Sequence, residues 1–361
     1  MWPYAVLIFL PMVVHHIKLK NSGSLIRIND RNKAAMKLFW LLLFILLILR
    51  QITVGTDLLN YKRIFSTIMF SSWKDAVFRS PEIGFNVLMK TIANISGEFR
   101  LFLIVCAILS ICFLAAGYIK YSEDTSLSIA IFISTSTFLM LFSGLKQAIA
   151  ISLGFFAFEM ARKRRLIIFI AVVLIAMSFH PSAFMLFFMY PLYFAKLTKK
   201  WIPGIVFALV TIFVFNEQIF RYLTRLLLMF TEYEGTISKT GAYTMLILFG
   251  LFSIFSYVIP DESKMDNDTL GMRNFLLLAF ALQMFAPLNS LAMRMGYYYM
   301  AFIPIVIPRI INRKRYRWNQ VAVFVEYLMI VFFSIYFFVS AEDNNVLSTF
   351  PYRFFWEETL L

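Results

Sequence analysis

The sequence has few charged residues. Only 15% of its 361 residues are Asp, Glu, Lys or Arg, whereas a soluble domain has roughly 25%. In their place 61% of the residues are hydrophobic. A chain of this size cannot hide so much apolar surface in its own core, so lipid must cover part of it. The sequence therefore indicates an integral membrane protein, and its long, non-alternating apolar runs predict α-helices rather than barrel strands.

Cysteine and the common binding motifs are also scarce. The two cysteines, Cys106 and Cys112, lie six apart in one apolar run and are interpreted as small buried hydrophobes. There is no zinc-ligand spacing, no Walker loop and no aromatic–basic RNA motif, which argues against a nucleic-acid partner despite the net charge of +14. The first apolar run lacks a basic n-region and a small-residue cleavage site, so we interpret it as a first span rather than a signal peptide.

The apolar runs predict an all-α transmembrane bundle of about 12 spans, forming one membrane domain over residues 1–361. They lie near 2–17, 34–49, 100–119, 127–143, 145–161, 166–179, 181–195, 201–216, 242–260, 273–290, 292–311 and 318–340. Counting spans places four basic clusters on one face, which the positive-inside rule makes cytoplasmic: Lys18–Lys33, Arg162–Arg165, Lys196–Lys200 and Arg313–Arg317. Loop 261–272 falls on the same face but is acidic. Both termini are then expected outside the cytoplasm.

Two long segments, 50–99 and 217–241, fall on the extracytoplasmic face in this topology. In "SPEIGFNVLMKTI", Ser80 has the character of an N-cap and Pro81 suits the first helical position. In "QIFRYLTRLLLMF", apolar residues form one helical stripe and Arg221 and Arg225 lie on another face. We expect both segments to contain helices that lie flat in the outer interface.

Several polar residues do not suit a plain lipid-facing bundle. His180 interrupts two apolar runs in "MSFHPSAF", where Pro181 favours a sharp corner between helices. The imidazole can simply cap that corner, or it can exchange a proton near neutral pH. Charges at membrane depth are costly and suggest function, although each has a structural alternative such as lipid anchoring or helix capping. With His180, the residues that map to the extracytoplasmic half are Arg50, Asp57, Glu82, Lys146 and Arg294.

These residues favour an outer-face site for an anionic, lipid-linked substrate. Guanidinium and ammonium groups around one imidazole suit a phosphate or pyrophosphate. A neighbouring carboxylate or imidazole can activate a hydroxyl nucleophile. Composition alone does not identify the substrate.

Four stretches, in order, resemble the EpsG family of Wzy-like exopolysaccharide polymerases: "VGTDLLNY", "PEIGFNVL", "FSGLKQAIAISLGFFAFEMARKRR" and "SFHPSAFMLFFMYPLY". The resemblance extends from about residue 50 to 310 and is most specific over 141–191. It implies a multi-pass bacterial plasma- or inner-membrane enzyme without cofactor or metal. Such an enzyme joins oligosaccharide repeat units carried on undecaprenyl pyrophosphate, and its expected partners are that substrate, membrane lipid and the pathway's flippase and chain-length regulator.

The same resemblance implies roles for individual residues. The proton acceptor is His180, or else Asp57 or Glu82. The substrate-binding residues that it implies are Arg294, Lys146, Gln147, Tyr61 and Ser182. We add Arg50, Tyr297 and Tyr298, because the predicted topology places them near the same outer face. The sequence departs from the expected "GLRQA" pattern, because Lys146 replaces arginine and offers a point charge instead of a two-pronged fork.

Two other functions fit the same residues. A flippase for lipid-linked sugars would carry polar residues through the middle of its spans and internal repeats, neither of which the sequence shows. A membrane acyltransferase that modifies polysaccharide could also use an outer histidine or carboxylate. Charges collected on one face favour chemistry there, so polymerase is the preferred interpretation.

Overall fold

The computed structural model describes residues 1–16, 25–226, 243–258, 260, 262–288, 290–315, 319–343, 345 and 347–357. Most of the proposed outer segment 217–241 lies outside these ranges, as do Lys18, Lys20 and Arg317. Within them the fold is helical, apart from one isolated antiparallel bridge between Arg50 and Phe354.

The described part of the first half of the chain, 1–16 and 25–180, forms ten α-helices. They are α1 (Trp2–His16), α2 (Leu25–Leu49), α3 (Leu58–Phe70), α4 (Trp73–Val77), α5 (Ile83–Ile95), α6 (Phe99–Tyr121), α7 (Thr125–Ile133), α8 (Ser136–Ser143), α9 (Leu145–Arg162) and α10 (Leu166–Phe179). A 3₁₀ helix, Pro181–Phe188, follows the corner at His180. The predicted helix after Ser80 is therefore present as α5, although Glu82 rather than Ser80 is its N-cap residue.

The described part of the second half continues with shorter helices and one long one. They are α11 (Met189–Phe194), α12 (Ile202–Val214), α13 (Asn216–Leu226), α14 (Tyr243–Val258), α15 (Asn267–Gln283), α16 (Ser290–Met295), α17 (Tyr297–Met300), α18 (Ile303–Arg315) and α19 (Asn319–Asp343). Two short 3₁₀ turns, Lys199–Trp201 and Glu262–Lys264, lie between them.

Burial divides these helices into a centre and a lipid-facing layer. All nine residues of α7 are buried, as expected for a helix that is apolar on every side. By contrast, α12 has no buried residue, so its apolar surface requires lipid. Cys106 is buried as expected, but Cys112 is exposed on the outside of α6, contrary to the sequence interpretation.

Three helical stretches in the described chain are long and apolar enough to cross a membrane: 30–49, 99–121 and 323–341. The number rises to five if each of two sharply bent helix pairs counts as one span. The predicted count of about 12 is not confirmed. A 30 Å hydrocarbon core needs about 20 helical residues. Several of the apolar runs form single helices that are shorter than this, such as α1, α10 and α14, and others are divided, such as 127–143 and 292–311.

The break between α7 and α8 shows how an apolar run is divided. The two helices meet at 65°. At the break, the hydroxyl of Ser134 donates to the carbonyl of Ala130, and that of Thr135 donates to Phe132. Short hydroxyl side chains compete in this way for backbone acceptors and favour bends. Hydropathy alone does not detect this competition, which is why 127–143 was predicted as one span.

A loop and the C-terminal tail support each other at one end of the bundle. Three residues of the loop donate backbone hydrogen bonds to the tail: Gln51 N–H to Arg353, Gly55 N–H to Ser348 and Thr56 N–H to Leu347. The Gln51 amide donates to the carbonyl of Glu357 at 2.8 Å. Gly55 has a φ of +115°, and a Cβ there would lie 2.2 Å from the Phe142 carbonyl oxygen. Only glycine allows this close approach of the loop to the end of α8.

The opposite end carries ion pairs that account for the acidic loop 261–272. Asp266 accepts from Arg309 at 3.0 Å, Glu262 from Arg273 at 3.1 Å, and the Asp268 carboxylate lies 3.4 Å from the guanidinium of Arg162. The acidic residues thus neutralise basic ones at their own end of the bundle. Their position agrees with the predicted grouping of this loop with the basic cluster at 162–165.

Candidate functional site

A cavity of about 240 Å³ opens among the ends of several helices. It is lined by Asp57, Asn60, Tyr61, Ile64, Glu82, Met140, Gly144, Lys146, Gln147, His180 and Arg294. These residues come from segments spread over more than half of the chain. Seven of the eleven residues that the sequence analysis proposed for the site line this one cavity.

The fold brings the charged lining residues together through helix termini. Asp57 and Glu82 are the N-cap residues of α3 and α5. Lys146 lies in the first turn of α9, and His180 is the corner residue between α10 and the 3₁₀ helix. Arg294 is carried by the short helix α16. Helix ends have unpaired backbone N–H and C=O groups. Because several helix ends meet here, the cavity between them is polar.

Two of the four charged lining groups neutralise each other. The Lys146 ammonium lies 3.2 Å from the Glu82 carboxylate and 5.4 Å from the centre of the Phe85 ring. Burial alone would raise the pKa of the Glu82 carboxyl, but hydrogen bonding by Ser80 and the charge of Lys146 hold this pKa below its usual range. Glu82 is therefore ionised at neutral pH and paired with Lys146.

The other two charged groups lie open to a ligand. In the part of the chain that the structure describes, neither the Asp57 carboxylate nor the Arg294 guanidinium has a side-chain hydrogen bond or an ion pair. A buried or half-buried charge without a partner is costly, and a substrate can supply the missing partner. The cavity thus contains one carboxylate and one guanidinium that no described side chain engages.

Gln147 ties two walls of the cavity together. Its amide nitrogen donates to the main-chain carbonyl of Arg294 at 2.6 Å. This bond fixes α16 to the first turn of α9, although the two residues are 147 positions apart in the sequence. It holds the backbone of Arg294 in place and leaves the guanidinium to other contacts.

Ser182, Tyr297 and Tyr298 lie behind the lining rather than in it. The Ser182 hydroxyl is 2.7 Å from Nδ1 of His180 and 3.0 Å from the Tyr298 hydroxyl. Tyr297 is buried and does not line the cavity. These three residues support the site without reaching the space that a substrate would fill.

Arg50 does not lie at the cavity. Its guanidinium is buried and donates to the carbonyls of Leu141 and Phe142 at 3.2 and 2.8 Å. These are carbonyls at the C-terminal end of α8, which have no partner inside the helix. The prediction that Arg50 binds pyrophosphate is therefore wrong. The arginine instead has a supporting role, because it holds the end of α8 two residues before Gly144, where α9 begins.

We expect Arg50→Met to destabilise the protein and to weaken function through Lys146 and Gln147. The substitution leaves two buried carbonyls without a donor, at about 1–3 kcal/mol for each. The detergent-purified variant should unfold at a lower temperature than the parent. Arg63→Met is the matched control, because Arg63 is exposed on α3 and its replacement should leave the midpoint unchanged. An unaltered midpoint for Arg50→Met would contradict the supporting role.

Four lining residues and one supporting residue are absent from the sequence-based prediction of the site. Asn60 and Ile64 lie on α3, next to the Asp57 and Tyr61 that were identified, so helical spacing could have indicated them. Met140 and Gly144 carry no chemical signal in the sequence. Asn86 is buried and donates to the carbonyls of Val77 and Ser80 at 3.0 and 3.3 Å. It fixes the loop that presents Glu82, and nothing in its apolar surroundings in the sequence marks that role.

Within the described ranges, no three His, Cys, Asp or Glu side chains group as a metal site. Apolar helices and a cavity lined by charged side chains indicate a membrane protein with a polar cavity at one end of its helix bundle. The chain belongs to the EpsG family, whose model matches residues 33–354. EpsG proteins are a Wzy-like polymerase family, and membership indicates an exopolysaccharide polymerase-like function. No curated protein and no solved structure matches the chain.

Proposed function

We propose that this protein joins undecaprenyl-pyrophosphate-linked oligosaccharide repeat units at the extracytoplasmic face of a bacterial cell membrane. The observation that carries the proposal is the convergence of Asp57, Glu82, Lys146, His180 and Arg294 on one cavity. A transfer from a pyrophosphate carrier to a sugar hydroxyl needs cations for the leaving group and an acceptor for one proton. Both kinds of group are present there.

The anion-binding part of the site consists of Arg294, Lys146 and the start of α9. Arg294 offers a two-pronged donor to phosphate oxygens. Lys146 can exchange Glu82 for a phosphate, because its ammonium is a compact charge on a flexible stem. The first-turn N–H groups of α9 have no intrahelical partner and, with the helix dipole, favour an anion. Gly144, the N-cap of α9, has no side chain that could satisfy them.

The acceptor side of the site is assigned to Asp57. In the proposed step the acceptor sugar hydroxyl oxygen attacks the anomeric carbon of the donor chain. The bond from that carbon to the pyrophosphate oxygen breaks, and undecaprenyl pyrophosphate leaves with both bonding electrons. The hydroxyl proton passes to the Asp57 carboxylate and from there to water. Glu82 is less suited to take this proton, because it is already paired with Lys146.

The extracytoplasmic location rests on the distribution of charge. Lys146 and Arg162 lie at opposite ends of α9, about 24 Å apart at 1.5 Å per residue. The ion pairs of Arg162, Arg273 and Arg309 lie at the end away from the cavity. If that basic end is cytoplasmic, the cavity and the tail that supports its loop are outside.

Deleting the gene in its host and extracting the undecaprenyl-linked sugars tests the function directly. We expect polymer to disappear and single repeat units to accumulate on the outer face of the membrane. Repeat units trapped on the inner face would instead mean a flippase. Polymer of normal length that lacks an acyl group would mean an acyltransferase. Either of the last two results would overturn the proposal.

A further inference from the structure

The imidazole of His180 is held through one of its two ring nitrogens. Nδ1 lies 3.3 Å from the backbone N–H of Ser182, which donates to it, and 2.7 Å from the Ser182 hydroxyl. A backbone N–H can only donate, so Nδ1 must present its lone pair. A neutral imidazole with an unprotonated Nδ1 carries its hydrogen on Nε2.

The hydrogen bonds behind His180 run in one direction. Because Nδ1 is an acceptor, the Ser182 hydroxyl donates its hydrogen to Nδ1. The oxygen of Ser182 then accepts from the Tyr298 hydroxyl at 3.0 Å. Ser182 and Tyr298 are both buried, so water does not compete for these bonds. The chain from Tyr298 through Ser182 fixes both the orientation and the tautomer of the ring.

Nε2 lies on the opposite edge of the ring from Nδ1. No hydrogen bond to Nε2 is formed by any residue that the structure describes, and the ring lines the cavity. The hydrogen of Nε2 is thus available to a bound molecule. Nδ1 thus meets the corner-capping alternative for His180, and Nε2 is left to a bound molecule.

We propose that His180 acts on the bound substrate as a neutral hydrogen-bond donor through Nε2–H, and that it is not the proton acceptor. This inference rests on the proposed polymerase function, because the oxygen it donates to is assigned to the pyrophosphate of the lipid carrier. Ser182 and Tyr298 are positioning residues that keep the donor tautomer. The role of proton acceptor is left to Asp57.

The charged surroundings agree with a neutral ring. Burial, together with the charges of Lys146 and Arg294, lowers the pKa of His180 to about 4 against the opposing charge of Glu82. The walls around the ring carry six other ionisable groups. They are Asp57 and Tyr61 at the start of α3, Glu82 at the start of α5, Lys146 on α9, Arg294 on α16 and Tyr298 on α17. At pH 6–8 the ring then stays uncharged, and its donor role does not change with pH.

Nitrogen NMR of the purified full-length protein tests the tautomer without relying on activity. The chain has three histidines, so ¹⁵N-histidine labelling gives few signals, and His180→Gln assigns one of them. We expect the His180 signals of a neutral Nε2–H ring from pH 6 to 8, with a change on Ser182→Ala. Farnesyl pyrophosphate, a short soluble carrier analogue, should shift Nε2 more than Nδ1. A protonated ring, an Nδ1–H ring or an unshifted Nε2 would overturn the inference.

Polymer formation in the host gives a second readout. The amide nitrogen of glutamine lies near the place of Nε2, whereas that of asparagine lies nearer Nδ1. We expect His180→Gln to retain polymer within about tenfold of the parent, and His180→Ala to lose about 100-fold, as for removal of one oxyanion donor. Equal losses for both variants would point to a proton-accepting histidine instead. If deletion of the gene itself left polymer intact, the polymerase function would fail while the NMR result still decided the tautomer.

Discussion

Replacing Arg294 by alanine is expected to lower polymer formation about 100- to 1,000-fold, the usual cost of removing one group that stabilises developing charge. Arg294 is the arginine of the cavity, and in the described structure its guanidinium is committed to no other side chain. The assay uses membranes that contain the variant and repeat units extracted from the deletion strain. Binding of farnesyl pyrophosphate to the purified protein should weaken in parallel.

Two variants sharpen the test of Arg294. Arg294→Lys keeps the positive charge but loses the two-pronged geometry, so it should fall between the parent and the alanine variant. Arg63→Ala removes an exposed arginine from α3 and should have no effect. Because the Arg294 carbonyl, and not its side chain, accepts from Gln147, the cavity wall should survive the substitution. Unchanged polymer yield and chain length in Arg294→Ala would show that the pyrophosphate is held elsewhere.

Asp57→Asn should strongly lower the rate of catalysis with little change in binding. The amide has nearly the shape of the carboxylate but cannot take a proton, and loss of a general base typically costs about 100- to 10,000-fold. Asp57 makes no side-chain capping bond to α3, so the helix should remain intact. We expect kcat to fall while KM and the affinity for farnesyl pyrophosphate stay near those of the parent.

Glu82→Gln is the matched comparison for Asp57→Asn. It removes the partner of Lys146 and frees the ammonium for phosphate, so KM should change more than kcat. If Glu82→Gln were inactive and Asp57→Asn active, the proton would be taken by Glu82. The pair of variants thus distinguishes the two carboxylates. Both line the same cavity, but only Glu82 already forms an ion pair with a lysine in the described structure.

Much of the candidate site could be predicted from the sequence, because polar residues in a strongly apolar chain are conspicuous. His180, Lys146 and Arg294 each interrupt or end an apolar run, and all three line the cavity. Arg50 also ends an apolar run, but it lies outside the cavity and supports the end of α8. The sequence shows that a charge is present, but it does not show that unsatisfied carbonyls from 91 positions away lie next to it.

The membrane topology was harder to predict for a related reason. Hydropathy averages over a window and does not record where a helix stops. The run 292–311 contains three helices, α16, α17 and the start of α18, and the run 181–195 begins as a 3₁₀ helix. Such breaks depend on prolines, hydroxyl side chains and tertiary contacts. The all-helical fold class therefore followed from composition, whereas the number of spans did not.

The support that the tail gives to the loop before Asp57 has a consequence for biosynthesis. The bond from Gln51 to Glu357 joins residues 306 positions apart, and the neighbouring backbone bonds reach almost as far. During translation the loop before Asp57 is anchored only after residues 347–357 have been made. A chain truncated before residue 347 would contain Lys146 and His180 but lack a fixed Asp57, so under the proposed function we expect it to transfer no sugar.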